Sequence, residues 1–222
     1  KAYFFDSFEY DSEEDFHNLW TVYKVGDDGS TEWIVANPSE SSSDLSAHSG
    51  ITVVSSESYP EILTDNWLIS PQITLPNQST LKFWIMRSTY DAAQDEYEVL
   101  LSTTGNAIDD FTVIKEKVAA NSEWTEVSIN LSAYDGQQCY IAIRHEFTDG
   151  FFLMVDDFGI FGWSEPIATT ENSLLIEDLL PETEYQWKVQ ANCGEVDGSS
   201  QWSIVDSFTT LLACPIPFDL TV

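Results

Sequence analysis

The sequence predicts an all-β protein: a large jelly-roll β-sandwich followed by a smaller β region. Three observations predict it. Apolar residues recur at a period of two or in short unbroken runs, and no segment keeps the 3.6-residue helical period over a full helix length. Ten or so such runs are separated by clusters of Gly, Pro, Asn, Asp and Ser, the spacing of a two-sheet sandwich. Composition then shifts after Gly162, because from there to Val222 the only basic residue is Lys188.

Taken in order, Ala2–Tyr10 is aromatic-rich and reads as the first strand, and the acidic stretch Asp11–Asp15 reads as a loop. Leu19–Val25 alternates as a strand, Gly26-Asp-Asp-Gly29 is a turn, and Thr31–Ala36 is a short strand. Asn37–Ser49 is Ser-rich and irregular, long enough to carry function. Ile51–Ser55 returns to strand, and Pro71 confines Asp65–Leu75 to an edge or a bulge. Thr80–Arg87, Tyr97–Ser102, Phe111–Val118, Glu123–Leu131, Gln138–Glu146 and Phe151–Ile160 follow as strands. In Glu123–Leu131, Trp124, Val127, Ile129 and Leu131 are set against Thr125, Glu126, Ser128 and Asn130. Beyond Gly162, Asn172–Asn192 reads as two strands around a corner at Pro181, with Tyr185 placed to pin one strand to its neighbour, and Ser203–Thr210 reads as one more strand.

The formal charge is −30, from 38 acidic against eight basic residues. Such a chain has no basic surface to neutralise phosphate, which excludes nucleic acid and disfavours anionic lipid. Hydrophobic residues make up 43% and aromatics 14%, enough for a sizeable core. No apolar run reaches membrane-spanning length. No signal peptide is visible, and Lys1 leads straight into strand-like sequence, as in a mature or trimmed chain whose leader is missing. The three cysteines, Cys139, Cys193 and Cys214, allow at most one disulfide.

The segment Gly150–Ile160 is a long apolar run interrupted by two acids, Asp156 and Asp157. A carboxylate buried there needs a cation or several hydrogen-bond donors. With Lys and Arg scarce, a hard divalent ion, calcium, is the natural counter-charge. First and last strands lie close in a jelly roll, so Glu9 is expected to meet Asp156 or Asp157, with Asp6 and the turn acids Asp27 and Asp28 as further candidates. Pleating sends Asp156 and Asp157 to opposite faces, so one of them, Asp156, is expected to be the principal ligand. The alternative is that these acids cap strand ends or accept backbone N–H groups.

Among the aromatic residues, Trp67, Trp84 and Trp124 lie in apolar strand patterns and read as core, whereas Trp33, Tyr59 and Tyr90 border loops and are candidates for a ligand-facing surface. His48 is placed to line a loop pocket, and His145 reads as a strand residue with its hydrogen bonds satisfied. The three histidines show no zinc-ligand spacing, and there is no nucleophile-elbow motif. With 38 acids, pairs of carboxylates by themselves do not indicate glycoside hydrolysis. Asn77-Gln-Ser79 and Asn130-Leu-Ser132 match the glycosylation sequon.

Residues 1–162 resemble the cleaved-adhesin (gingipain-haemagglutinin, MAM-like) jelly rolls of Bacteroidetes surface proteins. The resemblance is carried in order by Phe5-Asp-Ser-Phe-Glu9, Asp65-Asn-Trp-Leu-Ile-Ser-Pro71, Leu101-Ser-Thr-Thr-Gly105, Trp124–Tyr134, Tyr140-Ile-Ala-Ile-Arg-His145 and Val155-Asp-Asp-Phe158. It implies an extracellular or cell-surface, calcium-binding module that adheres to host proteins or glycans and does not catalyse. A carbohydrate-binding appendage of a secreted hydrolase is the alternative.

Residues 163–222 resemble part of a fibronectin type III domain. The corner Leu179–Tyr185, Ala191-Asn-Cys193 and Ser207-Phe-Thr-Thr210 look like its second half, and Cys214–Val222 looks like an opening strand. Three readings stand: a segment is missing, the chain is cut within a tandem array, or the Cys214 strand completes the half-domain, in one arrangement by strand exchange with a neighbouring molecule. The resemblance implies a Cys193–Cys214 disulfide, within or between chains.

Overall fold

The computed structural model describes residues 2–41, 45–88, 94–177, 179–181, 183–194 and 198–211. The chain divides into two units, Tyr3–Ser164 and a second formed by the residues from Glu165 onward with the extreme N-terminus.

The large unit is a two-sheet sandwich. The first sheet runs β10 (Thr125–Asn130), β7 (Asn77–Arg87), β12 (Phe152–Trp163), β4 (Val53–Glu57) and β3 (Ile34–Ala36), with β1 (Ala2–Asp6) also pairing β12. The second runs β2 (Thr21–Lys24), β5 (Thr64–Ile69), β11 (Gln138–Phe147), β8 (Glu96–Ser102) and β9 (Thr112–Ala119), with β6 (Ile73–Thr74) on β11. The long apolar run is thus a central strand, hydrogen-bonded to β7 on one side and β4 on the other. Burial on both faces explains why it reads as a run rather than an alternation. Between the sheets lie Leu81, Phe83 and Ile85 of β7, Val127 of β10, Leu68 of β5, Ile141 and Ile143 of β11, and Val155, Phe158 and Ile160 of β12, joined by Phe8, Phe16, Trp20 and Trp33 from the connections.

Three sequence expectations are corrected here. The acidic stretch read as a loop begins a short helix, α1 (Glu13–Leu19), whose N-terminus is capped by Ser12 Oγ accepting from the Asp15 amide at 3.2 Å. Glu13, Glu14 and Asp15 in its first turn suit the positive end of the helix dipole, and a single buried ring, Phe16, fastens it to the core. Seven residues show too little periodicity for the pattern to reveal. A four-residue helix, α2 (Pro38–Ser41), also forms within the Ser-rich stretch. Trp124 falls out of phase with Val127 and Ile129. It joins Trp84 on the outer face of the first sheet, where a second small core of Val53, Met86 and Met154 is covered by Leu45, Ala47, Trp124 and Phe152.

In the smaller unit, β13 (Glu184–Trp187) pairs antiparallel with β14 (Asp206–Thr209). The Leu180 amide donates to the Tyr185 hydroxyl at 2.9 Å, and Tyr185 is buried against Phe208. The strand predicted before Pro181 is absent among the described residues.

Candidate functional site: a loop clasped by acids from both ends of the large unit

Residues Ser46–Thr52 lie against the outer face of the first sheet and collect every acid predicted near the two terminal strands except Asp6 and the turn pair. Just past β1, Glu9 Oε1 accepts the amides of Ile51 and Thr52 at 2.8 and 2.9 Å, while Thr52 Oγ1 donates to the Phe8 carbonyl at 2.7 Å. Gly50 makes this approach possible: its φ is +62°, and a Cβ there would strike the Glu9 carboxylate. From β12, Asp156 Oδ2 accepts the amides of His48 and Ser49 at 2.9 and 3.0 Å, and its Oδ1 accepts the Asp157 amide at 2.8 Å. Asp157 binds the same two residues through side chains, Ser49 Oγ at 2.8 Å and His48 Nδ1 at 2.6 Å.

Both aspartates therefore serve one loop, contrary to the expectation that pleating parts them. Asp157 has φ +49°, and the register between β12 and β7 slips between Asp156 and Gly159. A bulge of this kind re-aims a side chain that strict alternation would send across the sheet. The His48 ring stacks on Trp84 with centroids 3.8 Å apart and meets Trp124 edge-on at 6.0 Å, and Trp124 Nε1 donates to the Ser46 carbonyl at 3.0 Å. His48 is thus a loop residue at the predicted place, seated on two tryptophans that the sequence had assigned to the core.

Asp156 is fully buried, and burial foremost pushes its carboxyl up to about 8, with Asp157 adding to the rise. The amides of Ser49, Asp157 and His48 pull the other way without overcoming it. Glu9 and the Asp156–Asp157 pair reach the same loop, but among the described residues no three His, Cys, Asp or Glu side chains form a ready-made metal site. They accept N–H and O–H groups instead. Asp6 is engaged elsewhere, accepting the Phe8 amide at 2.8 Å, Trp20 Nε1 at 2.7 Å and the Tyr10 hydroxyl, which burial foremost and Asp6 next hold well above the usual phenol value. Asp28 sits in the turn before β3, its carbonyl accepting from Lys24 Nζ at 3.3 Å, while Asp27 accepts the Leu63 amide at 2.9 Å.

The aromatic candidates divide. Trp33 is fully buried, with its ring edge-on to His145 at 6.3 Å. It is a core residue that the neighbouring loop composition disguised, not a surface platform. Tyr59 is half-buried and donates to the Glu57 carboxylate, which with burial pushes its hydroxyl up to about 12. Tyr90 and Cys214 lie outside the described residues, and Cys193 is exposed.

Two polar clusters escaped the sequence reading. On the outer face of the second sheet, Arg144 of β11 grips Asp65 through Nε and Nη2 at 2.6 and 2.8 Å, and reaches Glu98 at 2.8 Å and Glu146 at 3.1 Å. Inside the sandwich, His145 contacts Ser56 Oγ through Nδ1 at 2.9 Å and Asp95 Oδ1 through Nε2 at 3.0 Å. These residue types resemble a nucleophilic relay, but all three are sealed from solvent, so no substrate reaches the serine. His145 is a satisfied strand histidine, as its sequence position implied. Its partners come from strands remote in sequence, so no local motif could show them.

No described helix is long and apolar enough to cross a membrane. Comparison with known proteins matches residues 3–160 to the family model described as the Cleaved Adhesin Domain. The chain is 32% identical over 168 residues to Hemagglutinin A of Porphyromonas gingivalis strain W83, covering 65% of this chain. It is 29% identical over 202 residues to Lys-gingipain W83 of the same species, covering 78% of this chain. The matches span only 8% and 11% of those two relatives. Among solved structures, the K2 cleaved adhesin domain of Lys-gingipain superposes with a TM-score of 0.59 at 26% identity, covering 72% of this chain and 99% of that domain. The K3 domain from Porphyromonas gingivalis W83 gives 0.56 at 27% identity, covering 72% and 97%. The match runs from the first strand to the closing one through both sheets, and on it the chain belongs to the Cleaved Adhesin Domain family.

Proposed function

We propose that this chain is a non-catalytic adhesion module of a bacterial surface or secreted protein, acting outside the cell on a host protein or glycan. The observation that carries this reading is the family match across the whole large sandwich. The sealing of the Ser56–His145–Asp95 arrangement supports it. The surface put forward for contact is the outer face around Ser46–Thr52, where His48, Trp84 and Trp124 cluster. Pull-down of host matrix proteins set against a glycan array tests the reading. Saturable binding lost in Trp84→Ala, with the fold retained, supports it, and turnover of a glycan or peptide abolished by one acid-to-amide change would replace it. Binding to free sugars alone favours a carbohydrate-binding appendage, a reading that now rests on Trp84 and Trp124 because Trp33 is buried.

Calcium belongs to this proposal as a structural ligand. Glu9, Asp156 and Asp157 would hold it only by giving up N–H and O–H donors of the loop, since among the described residues they form no ready-made metal site. Three carboxylates surround one loop, and backbone amides alone leave buried Asp156 disfavoured as an anion. A bound divalent ion supplies the missing positive charge. At 100 times its dissociation constant it would add about 2.7 kcal/mol by mass action. Thermal unfolding in calcium against EDTA tests this. Equal midpoints, with Glu9→Gln silent in calcium, would remove the ion from the account.

Completion of the smaller unit by a further strand is also proposed. Among the described residues two strands pair in this unit, a marginal sheet by itself, and Leu175, Val189, Ile204 and Phe208 are exposed there. The Cys214 strand, from the same or a neighbouring molecule, would cover them and bring Cys214 to Cys193. Non-reducing mass spectrometry of folded protein that finds both thiols free counts against the pairing.

A further inference from the structure

One end of the large sandwich is polar although solvent does not reach it. Ser56 of β4, Asn66 of β5, His145 of β11 and Asp95 just before β8 are all fully buried there. Asn66 Nδ2 donates to Ser56 Oγ at 2.8 Å, and that oxygen lies 2.9 Å from His145 Nδ1. His145 Nε2 lies 3.0 Å from Asp95 Oδ1, and Asp95 Oδ2 accepts the Phe151 amide at 3.0 Å. The Asn66 amide donates to the Ser56 oxygen, and the His145 ring bridges that hydroxyl and the Asp95 carboxylate, so Ser56, His145 and Asp95 are each partnered.

Two atoms are left over. Asn66 Oδ1 and Trp33 Nε1 are enclosed and meet no partner among the described residues. Trp33 belongs to the same end, its ring edge-on to His145. One leftover atom only accepts and the other only donates, and leaving both unmet in a low-dielectric interior is costly.

We propose that this end of the sandwich binds one water molecule as a permanent structural ligand, accepting from Trp33 Nε1 and donating to Asn66 Oδ1. Charge decides the class of ligand. A cation would face the indole N–H, and an anion would face the Asn66 oxygen and the Asp95 carboxylate. A small neutral molecule that both donates and accepts satisfies both ends, and buried waters in proteins occupy such polar, enclosed positions. The water links the segment entering β3 in the first sheet to β5 in the second, joining the two sheets at their polar end.

A high-resolution crystal structure of the full chain tests this. The expected result is a density peak within about 2.7–3.2 Å of both Trp33 Nε1 and Asn66 Oδ1. A direct protein acceptor on the indole nitrogen, a peak touching only one of the two atoms, or no peak overturns it. In solution, the Trp33 indole proton, identified by its loss in Trp33→Phe, should show a water cross-peak with the sign of a long-resident molecule. It should also exchange far more slowly than the exposed Trp187 indole. A cross-peak of the opposite sign or none, or exchange as fast as Trp187, overturns the proposal without need of crystals.

Discussion

Replacing Arg144 by methionine removes one guanidinium and strands three carboxylates. Asp65, Glu98 and Glu146 have side chains 10%, 9% and 28% exposed, and Arg144 is itself 21% exposed, so water screens the group only in part. Arg144 also lies over the Trp67 ring at 5.1 Å, and hydrogen bonding to Asp65 foremost holds its own ionisation above the usual value. Breaking a largely buried ion pair from one side costs about 3–5 kcal/mol, because the partner charge stays behind. The lower end, about 3 kcal/mol, applies here, since Glu146 is the most exposed of the three and keeps Lys117. For a domain of this size that corresponds to a fall in melting temperature of roughly 6–12 °C. Arg144→Lys keeps the charge but loses the two-pronged grip on Asp65, and should recover about half. Urea unfolding of Arg144→Met, Asp65→Asn and the double variant measures the coupling, expected at about 1–3 kcal/mol. A loss under about 1 kcal/mol for Arg144→Met, or simple additivity with Asp65→Asn, would refute the reasoning.

Further outcomes follow from other sites. Asp135 accepts the amides of Gln78 and Ser79 at 2.6 and 3.0 Å and the Ser79 hydroxyl at 2.7 Å. Burial alone would raise its carboxyl, but these donors hold it below the usual carboxylate value. A depressed folded value gives stability that is present at neutral pH and lost as pH falls through it. Asp135→Asn should therefore cost about 1 kcal/mol near pH 7, with the two unfolding curves converging in acid; a gap independent of pH contradicts this. Burial pushes the Cys139 thiol up to about 12, so it should resist alkylation at pH 8 until the protein unfolds. Mass spectrometry showing rapid native labelling of Cys139 would contradict that. Trp33→Ala should lose about 3–5 kcal/mol of stability by opening a cavity, seen as a lower urea midpoint. Unchanged stability with lost ligand binding would return Trp33 to the surface.

The pattern of residues alone determined the two-sheet architecture, because period-two alternation and buried runs are local consequences of which face of a strand meets the core. It also singled out Glu9, Asp156, Asp157 and His48, since acids inside an apolar run and a histidine in a polar loop stand out from their neighbours. What those groups do was decided by tertiary structure. The positive φ at Asp157 turns both aspartates onto one loop, and the amides of residues 48–52 become their partners only when strands at opposite ends of the sequence come together. Phase against the sheet, invisible in composition, buried Trp33 and brought Trp84 and Trp124 to the outer face. The Arg144 cluster and the Ser56–His145–Asp95 network draw on residues tens of positions apart. Their geometry comes from strand register, which the hydrophobic pattern constrains but does not by itself assign to particular partners.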